Sequence, residues 1–200
     1  GSAYQIVQAG TYHCPDSFKD ILRQYQEKDY QLDYEYRRFY SAYDQIEDPS
    51  AFEPLRDLVE NIYTNEYLET LLPKWSNAIQ ESDALTALPL QRDFYSRNLK
   101  NAKERTVVII SDALRYEVGK ELFQKMQDDP KCTAKLEVQL SVLPSYTRLG
   151  MAALLPHSEL AMTDDFKVLV DGLPCENLSE RETILQKYNH DGVCVRFDDI

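Results

Sequence analysis

The apolar positions of this 200-residue chain follow one rhythm in its first half and another after it. Up to about Asn98 they recur every three or four residues, as on one face of a helix. Phe18, Ile21, Leu22 and Tyr25 mark one such face, with Asp16 or Ser17 placed to cap it. Leu32, Tyr36, Phe39, Tyr40, Tyr43 and Ile46 mark a second, which stops near Asp48-Pro49. Ser50-Ala51-Phe52-Glu53 has the form of a capping box, and Pro54 comes early enough to sit in a first turn. A third helix follows through Leu55, Leu58, Val59, Ile62 and Tyr63. Leu68, Leu71, Leu72, Trp75 and Ile79 predict a fourth, interrupted or kinked near Pro73.

The second regime opens at Val107-Val108-Ile109-Ile110, a β-branched run of the kind found in strands covered on both faces. Leu114, Val118, Leu122 and Met126 then return to helical spacing, with Phe123 beside them. From Ala134 the pattern alternates: Leu136, Val138, Leu140 and Val142 against Lys135, Glu137, Gln139 and Ser141, a strand with one covered face. Pro144 ends it, and Leu149 to Leu155 form a small-residue helix. Further on, Phe166–Val170 reads as a strand before an Asp171-Gly172 turn, Ser179-Glu180-Arg181-Glu182 as a capping box, and Val193–Phe197 as a last strand. Helices first, then strands alternating with helices, predict a helical subdomain over residues 1–98 and an α/β region over 99–200.

The candidate chemistry lies where strands hand over to helices. Ser111 and Asp112 end the first strand, the edge at which open α/β sheets bind ligands. Asp112 is a metal ligand or a helix cap, and Arg115 steadies a phosphate or pairs with a surface acid. Ser145 and Thr147 stand ahead of the next helix, whose unpaired N–H groups suit an anionic oxygen. Thr147 is a nucleophile or, like Ser145, a cap. Spacing alone leaves each pair of readings open.

Two segments carry a resemblance. Val-Ile-Ile-Ser-Asp-Ala-Leu-Arg-Tyr-Glu-Val over 108–118 and Val-Leu-Pro-Ser-Tyr-Thr-Arg-Leu-Gly-Met-Ala-Ala-Leu-Leu-Pro-His over 142–157 resemble the PglZ domain of BREX bacteriophage-defence systems. PglZ domains are similar to the alkaline phosphatase superfamily. The resemblance extends upstream to Asp33-Tyr34-Glu35-Tyr36-Arg37-Arg38-Phe39-Tyr40. It implies part of a doubly wound, alkaline-phosphatase-like sheet behind the helical subdomain, a phosphatase or phosphodiesterase activity, and two divalent metals, zinc in the wider superfamily. Residue by residue it implies Asp112 as the first metal ligand and Thr147, three residues before Gly150, as nucleophile and metal ligand. Ser145 is the fallback nucleophile, and Ser145 and Arg115 are the candidates to contact substrate. The family's later ligand segments, one with a His before an acidic pair and one ending in Asp-His-Gly, are not in this sequence. The expectation is a fragment that stops before the metal centre is complete and is inactive without it. Other BREX-type proteins are the implied partners.

Composition narrows the alternatives. With 22 basic and 34 acidic side chains the formal charge is −12, which argues against a groove held to nucleic acid by phosphate neutralisation. A phosphodiester could then be engaged only locally, at the metal site. Cys14, Cys132, Cys175 and Cys194 are scattered, without a Cys-x-x-Cys pair, and read as reduced thiols of a cytoplasmic protein. No apolar run has transmembrane length. Tyr34, Tyr36, Tyr40 and Tyr43 form either an exposed recognition surface or helix–helix contacts with hydroxyls at the edge. The alternative to an enzyme is therefore a non-catalytic module that docks other defence proteins through its acidic, tyrosine-rich half. No glycine-rich phosphate loop follows Ile110, so a nucleotide-binding domain lacks support.

Overall fold

The computed structural model describes residues 1–8, 12–81, 86 and 88–200. The chain divides into two compact units: a helical unit, Gly1–Ala84 with Ala113–Leu136, and a sheet unit, Leu85–Asp112 with Glu137–Ile200.

In the helical unit, α1 (Ser2–Gln8) precedes α2 (Phe18–Gln24). Ser17, rather than Asp16, caps α2: its hydroxyl accepts the Asp20 N–H at 3.1 Å. The chain does not break after α2. Tyr25–Asp29 continue as a π-helical segment into α3 (Tyr30–Tyr43). In the same way α4 (Glu53–Asn61) runs through a π segment, Ile62–Leu68, into α5 (Glu69–Glu81), which carries Pro73 inside it. A π turn closes i→i+5 bonds and shifts the helical register. Apolar positions on its two sides therefore leave a common stripe, which is why the pattern reads as separate helices. The capping box expected at Ser50–Glu53 does not form; the Asp48 carboxylate accepts the Ser50 N–H at 3.1 Å, and a 3-10 turn, Ser50–Phe52, leads into α4.

This unit's core is Ile6, Phe39 and Val59, packed round by Tyr36, Tyr40, Tyr43 and Ile62. Tyr36 stacks on Tyr63 with ring centroids 3.7 Å apart, and the hydroxyls of Tyr36 and Tyr40 both donate to Glu60. Tyr36 and Tyr40 thus make helix–helix contacts with hydroxyls at the edge, whereas the Tyr43 hydroxyl is buried and without a partner among the described residues. The bonds from Tyr36 and Tyr40 hold the Glu60 carboxyl below its ordinary range. Asp33 accepts from the hydroxyls of Tyr25, at 2.5 Å, and Tyr63, at 2.8 Å. Burial nevertheless raises its pKa, against the pull of those two bonds and of the Arg115 charge. The last helix of this unit, Tyr116–Gln127, packs on α3, and its Glu117, 2% exposed, accepts from Arg37 Nε at 3.1 Å. The stripe predicted for this helix faces outward at Leu114, Leu122 and Met126, all exposed.

The sheet unit is built on a three-stranded antiparallel sheet: β1 (Leu160–Met162), β2 (Val168–Val170) and β3 (Leu173–Pro174), in that order. Ala161 pairs with Leu169, and Val170 with Leu173. The predicted Asp171-Gly172 turn joins β2 to β3, both residues at positive φ, 49° and 77°. The helices Thr147–Ala153 and Leu178–Gln186 share a core with this sheet, made by Leu149, Ala152, Val168, Val170, Cys175 and Ile184. A capping box does head Leu178–Gln186, but from Asn177 to Glu180, two residues earlier than expected.

Two predicted strands are corrected. Val107–Ile110 forms no strand, and its four side chains are 41–81% exposed. Val193–Phe197 is not a strand either, and Asp198 and Asp199 lie exposed in a short 3-10 turn. A strand buried on both faces needs paired neighbours and covering helices, and the described residues bring none to these runs. The described residues build a mixed helical fold with a small antiparallel sheet. The alternating stretch keeps its pattern in burial: Leu136, Val138, Leu140 and Val142 are half-buried, and the residues between them are exposed. Among the described residues no helix is long and apolar enough to cross a membrane.

Candidate functional site

The approach to Thr147 is held by backbone pairing. Leu140 makes an isolated parallel bridge with Leu90: its N–H donates to the Pro89 carbonyl, and its carbonyl accepts the Gln91 N–H, each at 2.8 Å. The Gln91 side chain extends this tie in two directions. Its Oε1 accepts the Val142 N–H at 3.1 Å, and its Nε2 donates to the Gly150 carbonyl at 3.2 Å. One amide thus joins the end of the extended stretch to the helix beyond the Pro144–Tyr146 loop. Gln91 was not foreseen; nothing in periodicity or charge distinguishes it.

Tyr146 is the extended N-cap residue, and Thr147 is the first residue of the helix. Its first backbone bond runs from the Gly150 N–H to the Tyr146 carbonyl at 2.9 Å, leaving the amides of Thr147, Arg148 and Leu149 as free donors among the described residues. Ser145 and Thr147 are exposed, and neither side chain makes a hydrogen bond with the described residues, so neither serves as a cap. Arg148 bonds the Glu176 carboxylate, fastening the helix start to the segment after β3. Beneath, Ala152 and Ala153 are fully buried, which accounts for the small residues as close helix–sheet packing.

Asp112 lies exposed in a turn with Ala113, whose φ of 56° is left-handed. The following helix starts at Tyr116 with Arg115 as its N-cap residue, so Asp112 does not cap it. Its carboxylate makes no hydrogen bond or ion pair with the described residues. Asp112, Ser145 and Thr147 belong to the sheet unit, though no hydrogen bond joins them, and Arg115 belongs to the helical unit, where its charge acts on Asp33. His157 is a loop residue bonded to the Leu155 carbonyl at 2.7 Å.

The family model described as the BREX system PglZ alkaline phosphatase-like domain matches residues 93–200. The chain belongs to the PglZ family. It is similar to the alkaline phosphatase-like protein PglZ of Bacillus cereus (strain H3081.97), 39% identical over 203 aligned positions that cover 98% of this chain and 24% of the relative. It is also similar to the alkaline phosphatase-like protein BrxZ of Escherichia coli O9:H4 (strain HS), 34% identical over 94% of this chain and 23% of that protein. The chain spans about a quarter of the length of these relatives. No solved structure matches it significantly.

Alkaline phosphatase-like families generally use divalent metals. Among the described residues no three His, Cys, Asp or Glu side chains gather into a set able to hold a metal ion. Asp112 offers one unengaged carboxylate, and a two-metal centre needs several ligands for each ion. These residues alone do not fit such a centre.

Proposed function

We propose that this chain is part of a phosphoric ester hydrolase of a bacteriophage-defence system, with Thr147 as its nucleophile. The Thr147 oxygen bonds to phosphorus as the bond to the ester oxygen opposite breaks, giving a phosphothreonine and an alcohol. Water then attacks the same phosphorus and releases phosphate, restoring the hydroxyl. On this reading the free amides of Thr147, Arg148 and Leu149 would donate to the phosphoryl oxygens, and Ser145 and Arg115 would be the further substrate contacts. Asp112 and the Thr147 oxygen would be its metal ligands in this chain; the two ions, zinc by the superfamily's habit, would take their other ligands from outside these residues. Within the longer protein, the exposed Val107–Ile110 run becomes a strand of a doubly wound sheet, and the family domain starts near residue 99.

The observation that carries the reading is the exposed, unbonded Thr147 hydroxyl at a helix start in a chain of this family. The test is hydrolysis of p-nitrophenyl phosphate and bis(p-nitrophenyl) phosphate by the full-length protein. Thr147→Ala should lower kcat by about 10³-fold or more, as loss of a nucleophile does, and Thr147→Ser should retain part of it. An undiminished rate removes Thr147 from the chemistry. The two substrates separate monoester from diester specificity. Other BREX proteins are the partners this context suggests.

A further inference from the structure

Arg148 follows Thr147 and is the one charged side chain between Val142 and Gly150. The Cα atoms of neighbouring residues lie about 3.8 Å apart across a trans peptide. The guanidinium therefore stands within electrostatic range of any phosphoryl group that Thr147 takes up. It is about half exposed, and its Nη1 donates to Oε2 of the half-buried Glu176, 28 residues further on. Glu176 in turn is held from three sides. Its other carboxylate oxygen accepts the N–H of Val168 in β2 at 3.4 Å, and its own N–H donates to Glu180 at 2.7 Å. Its carbonyl accepts from the Arg181 guanidinium at 3.2 Å. The sheet and the helix Leu178–Gln186 thus fix the carboxylate to which Arg148 is drawn.

The pair has a second consequence besides fastening the helix start. Ser145 is neutral, and so is the Gln91 amide on the other flank of Thr147. The cations near Glu176 have duties of their own: Lys167 pairs with Asp165, and Arg181 bonds the carbonyls of Cys175 and Glu176. The Glu176 carboxylate therefore compensates Arg148, the cation next to the proposed nucleophile. Coulomb energy scales with the product of the charges. A phosphomonoester, with two negative charges, gains more from an uncompensated guanidinium than a phosphodiester, which has one.

We propose that Arg148 is a specificity-determining residue of the Thr147 site, contacting the phosphoryl oxygens, and that Glu176 is the positioning residue that tempers it. While Glu176 holds the guanidinium, the pair is net neutral and the site's pull on the doubly charged ester is weak. Released from Glu176, the guanidinium turns to the phosphate, whose oxygens it can meet with two parallel N–H bonds. The inference rests on the hydrolase reading and adds to it the two side chains that set the charge class of the ester. Metal ions in the longer protein carry the same charge in parent and variant, so they drop out of the comparison.

The test is kcat/KM of the full-length protein for p-nitrophenyl phosphate, doubly charged at about pH 8, and for bis(p-nitrophenyl) phosphate, singly charged. Glu176→Gln keeps an acceptor for the Val168 N–H. It should raise the monoester-to-diester ratio about threefold or more, through KM, as one charge acting over several ångströms does. Arg148→Gln should lower the ratio by a similar factor, and Arg148→Lys, which keeps the charge without the planar fork, should fall between it and the parent. A pair that only fastens the helix lowers both rates together and leaves the ratio unchanged in both variants, which overturns the proposal. Should Glu176→Gln lose its far-UV circular dichroism, Arg148→Gln decides: a lower ratio supports the proposal, and an unchanged one overturns it. Thr147→Ala, run alongside, separates the two questions. An undiminished rate there removes the nucleophile and this proposal with it, whereas a lost rate with an unchanged ratio in the Glu176 and Arg148 variants removes this proposal alone.

Discussion

Acids and hydroxyls serve opposite ends in the two units. In the helical unit Asp33, Glu60 and Glu117 are each bonded by tyrosine hydroxyls or a guanidinium, and the groups hold one another in place. In the sheet unit Asp112, Ser145 and Thr147 stand exposed and unbonded among the described residues, while the backbone around Thr147 is tied down by Gln91 and Arg148. A polar group satisfied within its own chain stabilises the fold; one left free on a fixed backbone is available to something else.

The contrast predicts how each unit responds to substitution. Ile184→Ala, in the sheet unit's core, should cost about 2–5 kcal/mol in chemical denaturation. Ile109→Ala, at 81% exposure, should stay within about 0.5 kcal/mol. Comparable losses at the two sites would mean that Val107–Ile110 is packed in solution. Gln91→Ala leaves the Val142 N–H and the Gly150 carbonyl without their partner and should cost about 1–3 kcal/mol. On the hydrolase reading it should also lower kcat in the longer protein, through the position of Thr147. Unaltered stability would show that the amide ties nothing.

A smaller effect separates the buried acids from the free ones. The folded pKa of Asp33 is raised, so the folded state holds that proton more tightly than the unfolded one. Its contribution to stability is therefore full at low pH and falls as pH rises from about 4 through the raised value. Glu60, held low, contributes in the opposite sense: its share is present above the ordinary value and lost as pH falls through the depressed one. Relative to the parent, Asp33→Asn should gain in Tm as pH rises from 4 to 7. A difference that does not change with pH would place Asp33 in water.

The helical half was legible from spacing because each apolar face is a local property. Ser17, the stop near Asp48-Pro49 and the Asp171-Gly172 turn needed only their neighbours in sequence. The capping boxes were less legible: Asp48 accepts the Ser50 N–H that the Glu53 side chain was expected to take, and Asn177 caps its helix two residues ahead of Ser179. Of the candidate site, the place of Thr147 at a helix start could be read directly. Gln91 could not, because its two bonds reach 51 and 59 residues along the chain.

By itself, then, the amino-acid order determined the helical first half, the alternation from Leu136 to Val142 and the family. Only tertiary structure decided that two π segments merge separate stripes into long helices, that Glu117 rather than the apolar stripe of its helix is buried, and that Val107–Ile110 lies open. The reason is physical. Helical periodicity is encoded within a few residues, whereas a strand's pairing and a side chain's burial depend on what the rest of the fold brings beside them.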